Sequence, residues 1–349
     1  MQFDPASGQL KCPFCGHTAP APGADAPIPP HPLDAALAAA PQAAALSPQA
    51  LQVTCQGCGG AVVFEPPEVA GTCPFCGSPI VAQPQAADPL IAPDAVLVFK
   101  LPKAAAQESV AKWLASRWFA PNALKRMAHP DRGISGVYLP FWSYSTDTHS
   151  VYRGERGEHY YVTEEYDEQD SQGNTVHRTR QVQHTNWYPA SGEVARRFED
   201  QLISGTHAVN ESHLNALEPW DLSALRPYDP EYLAGFKAQR YQLDLAGGFD
   251  QAKQVMARRI EQDAAADIGG DEQRVEAVST EYANSTFRHL LLPVWVGAYR
   301  FGDKVYQLAV NARTGAVHGD RPYSIAKIAA LVLVVLAVLA LAALVFGRH

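Results

Sequence analysis

The chain has 349 residues, which is enough for one sizeable folded domain with smaller appendages. Its formal net charge of -8 and its pI near 5.8 argue against nucleic-acid binding as its main role, because such proteins carry a basic surface. All six cysteines lie before residue 77, and no basic segment followed by an apolar run marks a secretory signal. This distribution excludes a small secreted disulfide scaffold and predicts a metal-binding protein with the bulk of the chain in the cytoplasm.

The first 17 residues contain one Cys-x-x-Cys pair, Cys12 and Cys15, followed by glycine. We interpret residues 1–17 as half a zinc knuckle, because no fourth cysteine pair exists to complete a second four-cysteine site. Three interpretations stay open for this pair. It is a half-ribbon left from a degraded site, a mixed site completed by a histidine such as His17 or His31, or a metal site shared between two chains.

Residues 18–50 are rich in alanine, proline and glutamine, a composition typical of a linker. Alanine favours helices, so a short helix between Leu33 and Leu46 is an open alternative to coil. Neither version carries chemistry.

Residues 51–90 contain two glycine-ended knuckles at the spacing of a four-cysteine zinc ribbon. The predicted ligands of one Zn²⁺ are Cys55, Cys58, Cys73 and Cys76, since zinc favours four thiolates in a tetrahedron. A thioredoxin-like redox pair is the competing interpretation, but it expects a single motif at the start of a helix. A filled shell of four thiolates leaves no open position, so we expect the zinc to be structural.

Residues 91–322 have the composition of an α+β domain that is rich in antiparallel strands. Apolar periodicity predicts helices over Lys103–Phe119 and over Phe249–Asp263. Alternating runs at Tyr160–Tyr166 and Thr175–Trp187 flank a Ser-Gln-Gly-Asn turn at 171–174, which predicts a hairpin.

Residues 323–349 contain an uncharged apolar run from Ile328 to Phe346. At about 1.5 Å per residue this run approaches the thickness of a bilayer's hydrocarbon core, so the sequence predicts a single C-terminal transmembrane helix. The expected location is the inner (cytoplasmic) membrane, with a tail-anchored, single-pass chain.

We find no sequence pattern that indicates catalysis. No phosphate-binding Gly-x-x-x-x-Gly-Lys loop is present, and Gly133-Ile-Ser-Gly lacks the second glycine of a nucleophile elbow. The histidines lack the spacing of a metal pair. The sequence therefore predicts a protein that is not an enzyme and has no small-molecule substrate.

The order of motifs nevertheless resembles one protein family. Glycine-ended cysteine knuckles precede Gly136-Val-Tyr-Leu-Pro-Phe-Trp-Ser-Tyr, and Leu291-Leu-Pro-Val-Trp is followed by Asn311-Ala-Arg-Thr-Gly and the apolar C-terminus. This order resembles bacterial zinc-ribbon (TFIIB-type zinc finger) membrane proteins catalogued as primosomal protein N′ (replication factor Y), a superfamily II helicase name. Relatives commonly carry another cysteine pair ahead of the one matching Cys12 and Cys15. The helicase name conflicts with the missing phosphate loop.

The resemblance implies an adaptor that recruits a phage-shock-protein-A-like (ESCRT-III-type) or SPFH protein to the membrane in the envelope stress response. The alternative is a membrane-tethered zinc-ribbon protein that binds nucleic acid without helicase activity, and a metal-dependent enzyme comes third. No lysine or arginine lies between Gln52 and Ala87, which disfavours phosphate binding by the ribbon. The adaptor is therefore the leading expectation.

Overall fold

The computed structural model describes residues 1–23, 26–39, 51–64, 70–81, 91–122, 133–169, 175–301 and 304–346. Within them, the strands are β1 Gln2–Asp4, β2 Gln9–Lys11, β3 Thr18–Ala19, β4 His31–Pro32, β5 Leu51–Thr54, β6 Ala61–Phe64, β7 Ala70–Thr72, β8 Pro79–Val81, β9 Ala95–Val96, β10 Ile134–Gln169, β11 Thr175–Ser204, β12 Arg226–Pro227, β13 Lys237–Ala238, β14 Glu272–Phe301, β15 Lys304–Asn311 and β16 Val317–Gly319. The helices are α1 Leu33–Ala38, α2 Lys103–Ala115, α3 Glu211–Asn215, α4 Leu245–Ile268 and α5 Ile325–Phe346. Two 3₁₀ turns cover Leu222–Ala224 and Pro230–Leu233.

One large sheet organises the molecule. Its strands follow the order β11-β10-β14-β15-β16, all antiparallel, with β4, β9, β12 and β13 added at the side. Three neighbouring strands of this sheet are unusually long, since β10 has 36 residues and β11 and β14 have 30 each. Two core clusters lie on this sheet around Leu139 and Tyr138, whose side chains are fully buried.

Helix α4 packs across the long strands. Asp244 caps its first turn by accepting a hydrogen bond from the Gly247 amide at 2.8 Å. Its buried side chains recur every three or four residues, as expected for a helix with one face on a sheet. They are Leu245, Phe249, Ala252, Met256, Ile260, Ala264 and Ile268. The helix is longer at both ends than the predicted Phe249–Asp263.

The long strands extend beyond the rest of the domain. Strand β14 begins opposite Gly157 of β10, so the sheet has three strands up to this point and two strands after it. The two-stranded part consists of Glu158–Gln169 and Thr175–Asn186, which pair in continuous antiparallel register. We call this segment the arm. It is about 40 Å long at roughly 3.3 Å per residue, and it contains the predicted hairpin, although the turn at 171–174 lies outside the described residues.

Part of the predicted linker packs on the sheet. His31 and Pro32 pair with β14, and the Leu33 side chain is fully buried in the core beside Trp142. Helix α1 begins at Leu33 and ends at Ala38, and residues 40–50 lie outside the described part of the chain.

The observed fold corrects the predicted class. The chain is mostly antiparallel β-sheet with few helices, so the expected α+β architecture with a transmembrane helix is wrong. The physical reason is the length of the strands. Three of them continue for 30 residues or more, whereas a typical strand has about five or six.

The predicted membrane anchor is also corrected. Among the residues that the structure describes, no helix is both long and apolar enough to span a bilayer. The first turn of α5 belongs to the domain, because Lys327 Nζ donates hydrogen bonds to the carbonyls of Trp118 and Ala120 at 3.0 and 2.8 Å. The apolar side chains that follow it, from Ile328 to Leu341, are exposed. The single-pass membrane partner and the inner-membrane location are therefore not supported.

A buried histidine on β14 makes the fold sensitive to pH. His289 is fully enclosed, and its Nδ1–H donates to the Ile91 carbonyl at 3.0 Å while its backbone amide donates to Asp94 Oδ2 at 2.7 Å. The rings of Trp142 and Tyr241 lie against it. Burial lowers the pKa of His289 to about 4, since the imidazolium would lose its hydration.

This pKa predicts acid sensitivity. The unfolded chain binds a proton at His289 near pH 6.5 and the folded chain only near pH 4, so the contribution to stability is present above pH 6.5 and is lost as the pH falls toward 4. Between pH 7 and pH 5 the loss is roughly 2 kcal/mol. In His289→Gln, urea denaturation should show a pH dependence flatter by that amount. An unchanged slope would contradict the assignment.

Candidate metal centre

Two loops present the four cysteines of the predicted ribbon. Each follows a short strand and forms the same knuckle, in which the amide of the residue after Cys-x-x-Cys donates to the first cysteine's carbonyl. The bond is 2.8 Å from Gly59 to Cys55 and 2.9 Å from Gly77 to Cys73. Both glycines have positive φ, 73° and 75°, a conformation that other residues rarely adopt.

The two knuckles face one another and bring the four sulfurs together. The Sγ atoms of Cys55 and Cys76 are 3.6 Å apart, and those of Cys58 and Cys73 are 3.7 Å apart. All four lie within 4.8 Å of one another, an arrangement that could hold a metal ion. The two loops also approach each other closely at Gly57, where a side chain would not fit, because a Cβ there would lie 2.8 Å from Ser78 Oγ.

The surroundings of the thiols differ. Burial raises the pKa of the Cys58 thiol, and it raises the pKa of Cys73 to about 11. Burial also acts upward at Cys76, but hydrogen bonding with Ser78 and with the neighbouring thiols lowers the pKa of Cys76 to about 7. In the metal-free protein the Cys76 thiol, with its lowered pKa, therefore ionises before those of Cys58 and Cys73. A cation at the centre would displace the remaining protons.

The metal centre is anchored in the core of the sheet domain. Cys55 and Cys73 are 2% exposed, and the Phe75 ring between Cys73 and Cys76 is fully buried in the cluster around Leu139. Gln307 of β15 adds a polar contact, since its Nε2 donates to the Phe75 carbonyl at 2.8 Å. The second knuckle is thus fixed to the sheet by an apolar ring and by a hydrogen bond.

The remaining predicted ligands lie elsewhere. Cys12 is partly exposed and Cys15 is exposed, and neither belongs to a group of three or more metal-donor side chains within the described residues. His31 Nε2 lies 2.7 Å from Asp94 Oδ1, where it is engaged with the domain. The structure therefore brings together four of the six predicted cysteines.

A second feature with functional potential is one face of the arm. In an antiparallel pair, directly opposed residues share a face, so Tyr160, Val162 and Tyr166 lie on the same side as Val176 and Val182. Tyr160, Val162, Tyr166 and Val176 are all exposed. We call this side the apolar arm face. The same side also carries His184, which stacks on Tyr160, and the two ion pairs Arg178–Glu168 and Arg180–Glu164. The opposite side carries mainly threonine, glutamine and histidine, together with Glu165, Asp167 and Tyr161.

The apolar arm face continues the surface that α4 covers. At the root of the arm, Tyr152 is buried beneath α4, and its hydroxyl donates to Asp267 Oδ2 at 2.5 Å. Helix α4 ends at Ile268 and the chain turns back into β14 opposite Gly157. Beyond that turn no described element of the chain lies on the same face. The arm therefore exposes apolar side chains of the kind that α4 buries nearer the domain.

The charges of the arm are mostly negative. Its two strands carry five carboxylates and two arginines. The arginines are paired across the strands, with Arg178 Nε 2.8 Å from Glu168 and Arg180 Nη2 3.0 Å from Glu164. These exposed pairs bridge the two strands, and with five carboxylates against two arginines the arm keeps a net negative charge.

Sequence analysis did not identify the anchoring residues Phe75 and Gln307 or the apolar arm face. The pattern of β10 contains a partial signal for the face, since Tyr160, Val162 and Tyr166 are an even number of residues apart, although Glu164 shares their side and Tyr161 interrupts the alternation. No such signal exists for Phe75, because the same Cys-Pro-Phe-Cys-Gly segment occurs at residues 12–16, where its phenylalanine is exposed and not buried.

Comparisons with known proteins give one distant similarity. No family model matches the chain, and no solved structure matches it. The chain is similar to a protein of Bacillus subtilis (strain 168) described as "Uncharacterized protein YdjG", with 24% identity over 243 residues, which is 69% of this chain and 67% of the relative. The similarity indicates distant kinship over about two thirds of both chains and names no activity.

The two Cys-Pro-Phe-Cys-Gly segments allow a matched test of the anchor. Phe75→Ala should lower the free energy of unfolding by about 3–5 kcal/mol, because it removes a buried ring and leaves a cavity. Phe14→Ala should change it by less than about 0.5 kcal/mol, since Phe14 is 96% exposed. Urea denaturation measures both, with each substitution made in a chain that also carries Cys12→Ser and Cys15→Ser so that no metal joins two copies through the first knuckle. Equal effects of the two substitutions would show that Phe75 does not anchor the knuckle.

Proposed function

We propose that this protein is a zinc-binding adaptor that has no catalytic role. In this proposal a structural zinc holds the ribbon against the sheet domain, and the apolar arm face binds an amphipathic helix of a partner protein. The observation that carries the proposal is the exposed apolar face, which continues a surface already covered by a helix nearer the domain.

Zinc is the metal that best fits the four-cysteine centre. Four thiolates are soft ligands, which zinc accepts readily in a tetrahedral structural site. A Zn–S bond of about 2.3 Å corresponds to a sulfur–sulfur distance of about 3.8 Å along a tetrahedron's edge. The distances of 3.6 and 3.7 Å between opposed cysteines are close to this value. Because four protein ligands fill the shell, zinc at this centre would stabilise the fold and would not activate water.

A helix is the partner element that fits the arm. Helix α4 buries an apolar stripe on the same side of β10 and β11, so the sheet's twist and side-chain spacing already suit a helix there. A two-stranded hairpin with no cover is marginally stable in water, and a docked helix would bury its exposed tyrosines and valines. The negative field of the arm favours a helix whose apolar stripe is flanked by lysine and arginine.

The family resemblance supplies the class of partner. It implies a phage-shock-protein-A-like or SPFH protein, and we propose recruitment of such a protein by the arm. The acidic arm and the ribbon without lysine or arginine both disfavour nucleic acid, because phosphate binding requires a basic surface. The membrane anchor of the original expectation is not part of this proposal.

Zinc binding by the ribbon predicts that substituting its cysteines lowers the zinc content of the protein. Replacing Cys73 and Cys76 together by serine should remove one equivalent of zinc per chain and destabilise the ribbon, since the metal supplies much of a small ribbon's folding free energy. Ser78→Ala, which leaves all four thiols in place, should retain the zinc. Elemental analysis and X-ray absorption measure the content and the shell. Nitrogen or oxygen ligands at the retained site would contradict the assignment.

Docking on the arm predicts that substitutions of two adjacent tyrosines affect partner affinity differently. Tyr160→Ala should weaken binding of a phage-shock-protein-A-like partner at least about tenfold, because buried aromatic anchors contribute most to an interface. Tyr161→Ala, on the opposite side, should change it by less than about twofold. Calorimetric titration with the purified partner measures both. Equal losses of affinity in the two variants would overturn the proposal. Tight binding of duplex DNA at physiological salt that Tyr160→Ala does not weaken would overturn it as well.

A further inference from the structure

The chain contains the pentapeptide Cys-Pro-Phe-Cys-Gly twice, at 12–16 and at 73–77. Both copies form the same knuckle. The amide of Gly16 donates to the Cys12 carbonyl at 3.0 Å, and the amide of Gly77 donates to the Cys73 carbonyl at 2.9 Å. The φ angles of the two glycines are 74° and 75°. Residues 12–16 are therefore shaped as a metal knuckle although no second knuckle of the chain faces them.

The first knuckle is held in a fixed position at the surface. Strands β1 and β2 bury Phe3 and Leu10 against Tyr232, and the Phe3 amide donates to the Ala234 carbonyl at 2.9 Å. The loop between β2 and β3 then presents Cys12 and Cys15 outward. This arrangement fixes the direction in which the two sulfurs can bind a metal.

The two copies differ in what covers them. Phe75 is fully buried in the domain, whereas Phe14 is 96% exposed at the equivalent position. The glycines of the two copies do not differ, since a Cβ at Gly16 or at its counterpart Gly77 would meet no atom within 4 Å. An exposed phenylalanine beside two thiols is the surface that the second knuckle of the ribbon would present if its partner knuckle and the sheet were removed.

The first knuckle supplies half of a tetrahedral thiolate site. Within the described part of the chain, no third histidine, cysteine or carboxylate gathers with Cys12 and Cys15. Zinc in structural sites takes four protein ligands. The other four cysteines of the chain gather in the ribbon, so any further thiolate at this site comes from another chain.

We propose that Cys12 and Cys15 bind one zinc together with the same two cysteines of a second copy of this chain. A two-fold axis through the metal exchanges the two pairs of ligands of a tetrahedron, so a second identical knuckle completes the site without any other residue. The ribbon provides the template, since two knuckles with the same hydrogen bonds face one another there. The two Phe14 rings become buried at the contact. The four thiols lose their protons to solvent, and the two adjacent Lys11 side chains offset the remaining charge of the zinc–thiolate centre.

The test measures zinc content and molecular mass of the whole chain under a reductant. Wild type should contain 1.5 zinc per chain and should have the mass of a dimer that dissociates on chelation. The double variant Cys12→Ser with Cys15→Ser should contain 1.0 zinc per chain and should be monomeric. Pro13→Ala, which alters the same loop but keeps both thiols, should behave as wild type.

Three results would overturn the shared site. They are one zinc per chain in wild type with Cys12 and Cys15 free to react, two zinc per monomer, and a dimer that persists in the double serine variant. If the ribbon bound no zinc but the shared site did, the result would differ from all of these. The variant with Cys12→Ser and Cys15→Ser would then bind no zinc, and wild type would bind 0.5 zinc per chain.

Discussion

The burial of one knuckle in the core of the sheet is the interaction on which the rest of the molecule depends. Phe75 joins the apolar cluster around Leu139, and Gln307 binds the Phe75 carbonyl. Because Cys73 and Cys76 flank this ring, the same contact fixes two of the four thiols relative to the sheet. The first pair, Cys55 and Cys58, then has a defined place opposite them. The metal centre and the sheet domain are thus parts of one folded unit.

A difference in length between helix and strand explains the exposed arm. Helix α4 has 24 residues and extends about 36 Å, which covers only about eleven residues of an adjacent strand. Strand β10 has 36 residues, so much of its length lies beyond the helix. Tyr152 lies under α4 and is buried, whereas Tyr160, eight residues further along the same face, is exposed. Apolar side chains continue on this face past the end of the helix, and we infer that another molecule covers them.

The sequence predicted the local features that depend on near neighbours. Paired knuckles at ribbon spacing come together as a cluster that could hold a metal, because the turn geometry and the spacing are local properties. The strand pairing around Tyr160 and Tyr166 was predictable from alternation. Phe14 and Phe75 could not be distinguished, since their local sequences are identical and only distant residues bury one of them. Leu33, within a segment with the composition of a linker, is buried for the same reason. The transmembrane helix predicted from the apolar C-terminus was wrong, since no helix among the described residues is both long and apolar enough to span a bilayer.

The claim that the arm is a docking surface is tested most directly by photo-crosslinking in living cells. A photoreactive amino acid at Val162 lies on the apolar arm face, and one at the adjacent Thr163 lies on the opposite side of the same strand. The account predicts that the probe at position 162 crosslinks to one partner, within a peptide that has the apolar spacing of an amphipathic helix, and that the probe at position 163 does not. Equal crosslinking from both positions, or none from position 162, would contradict it.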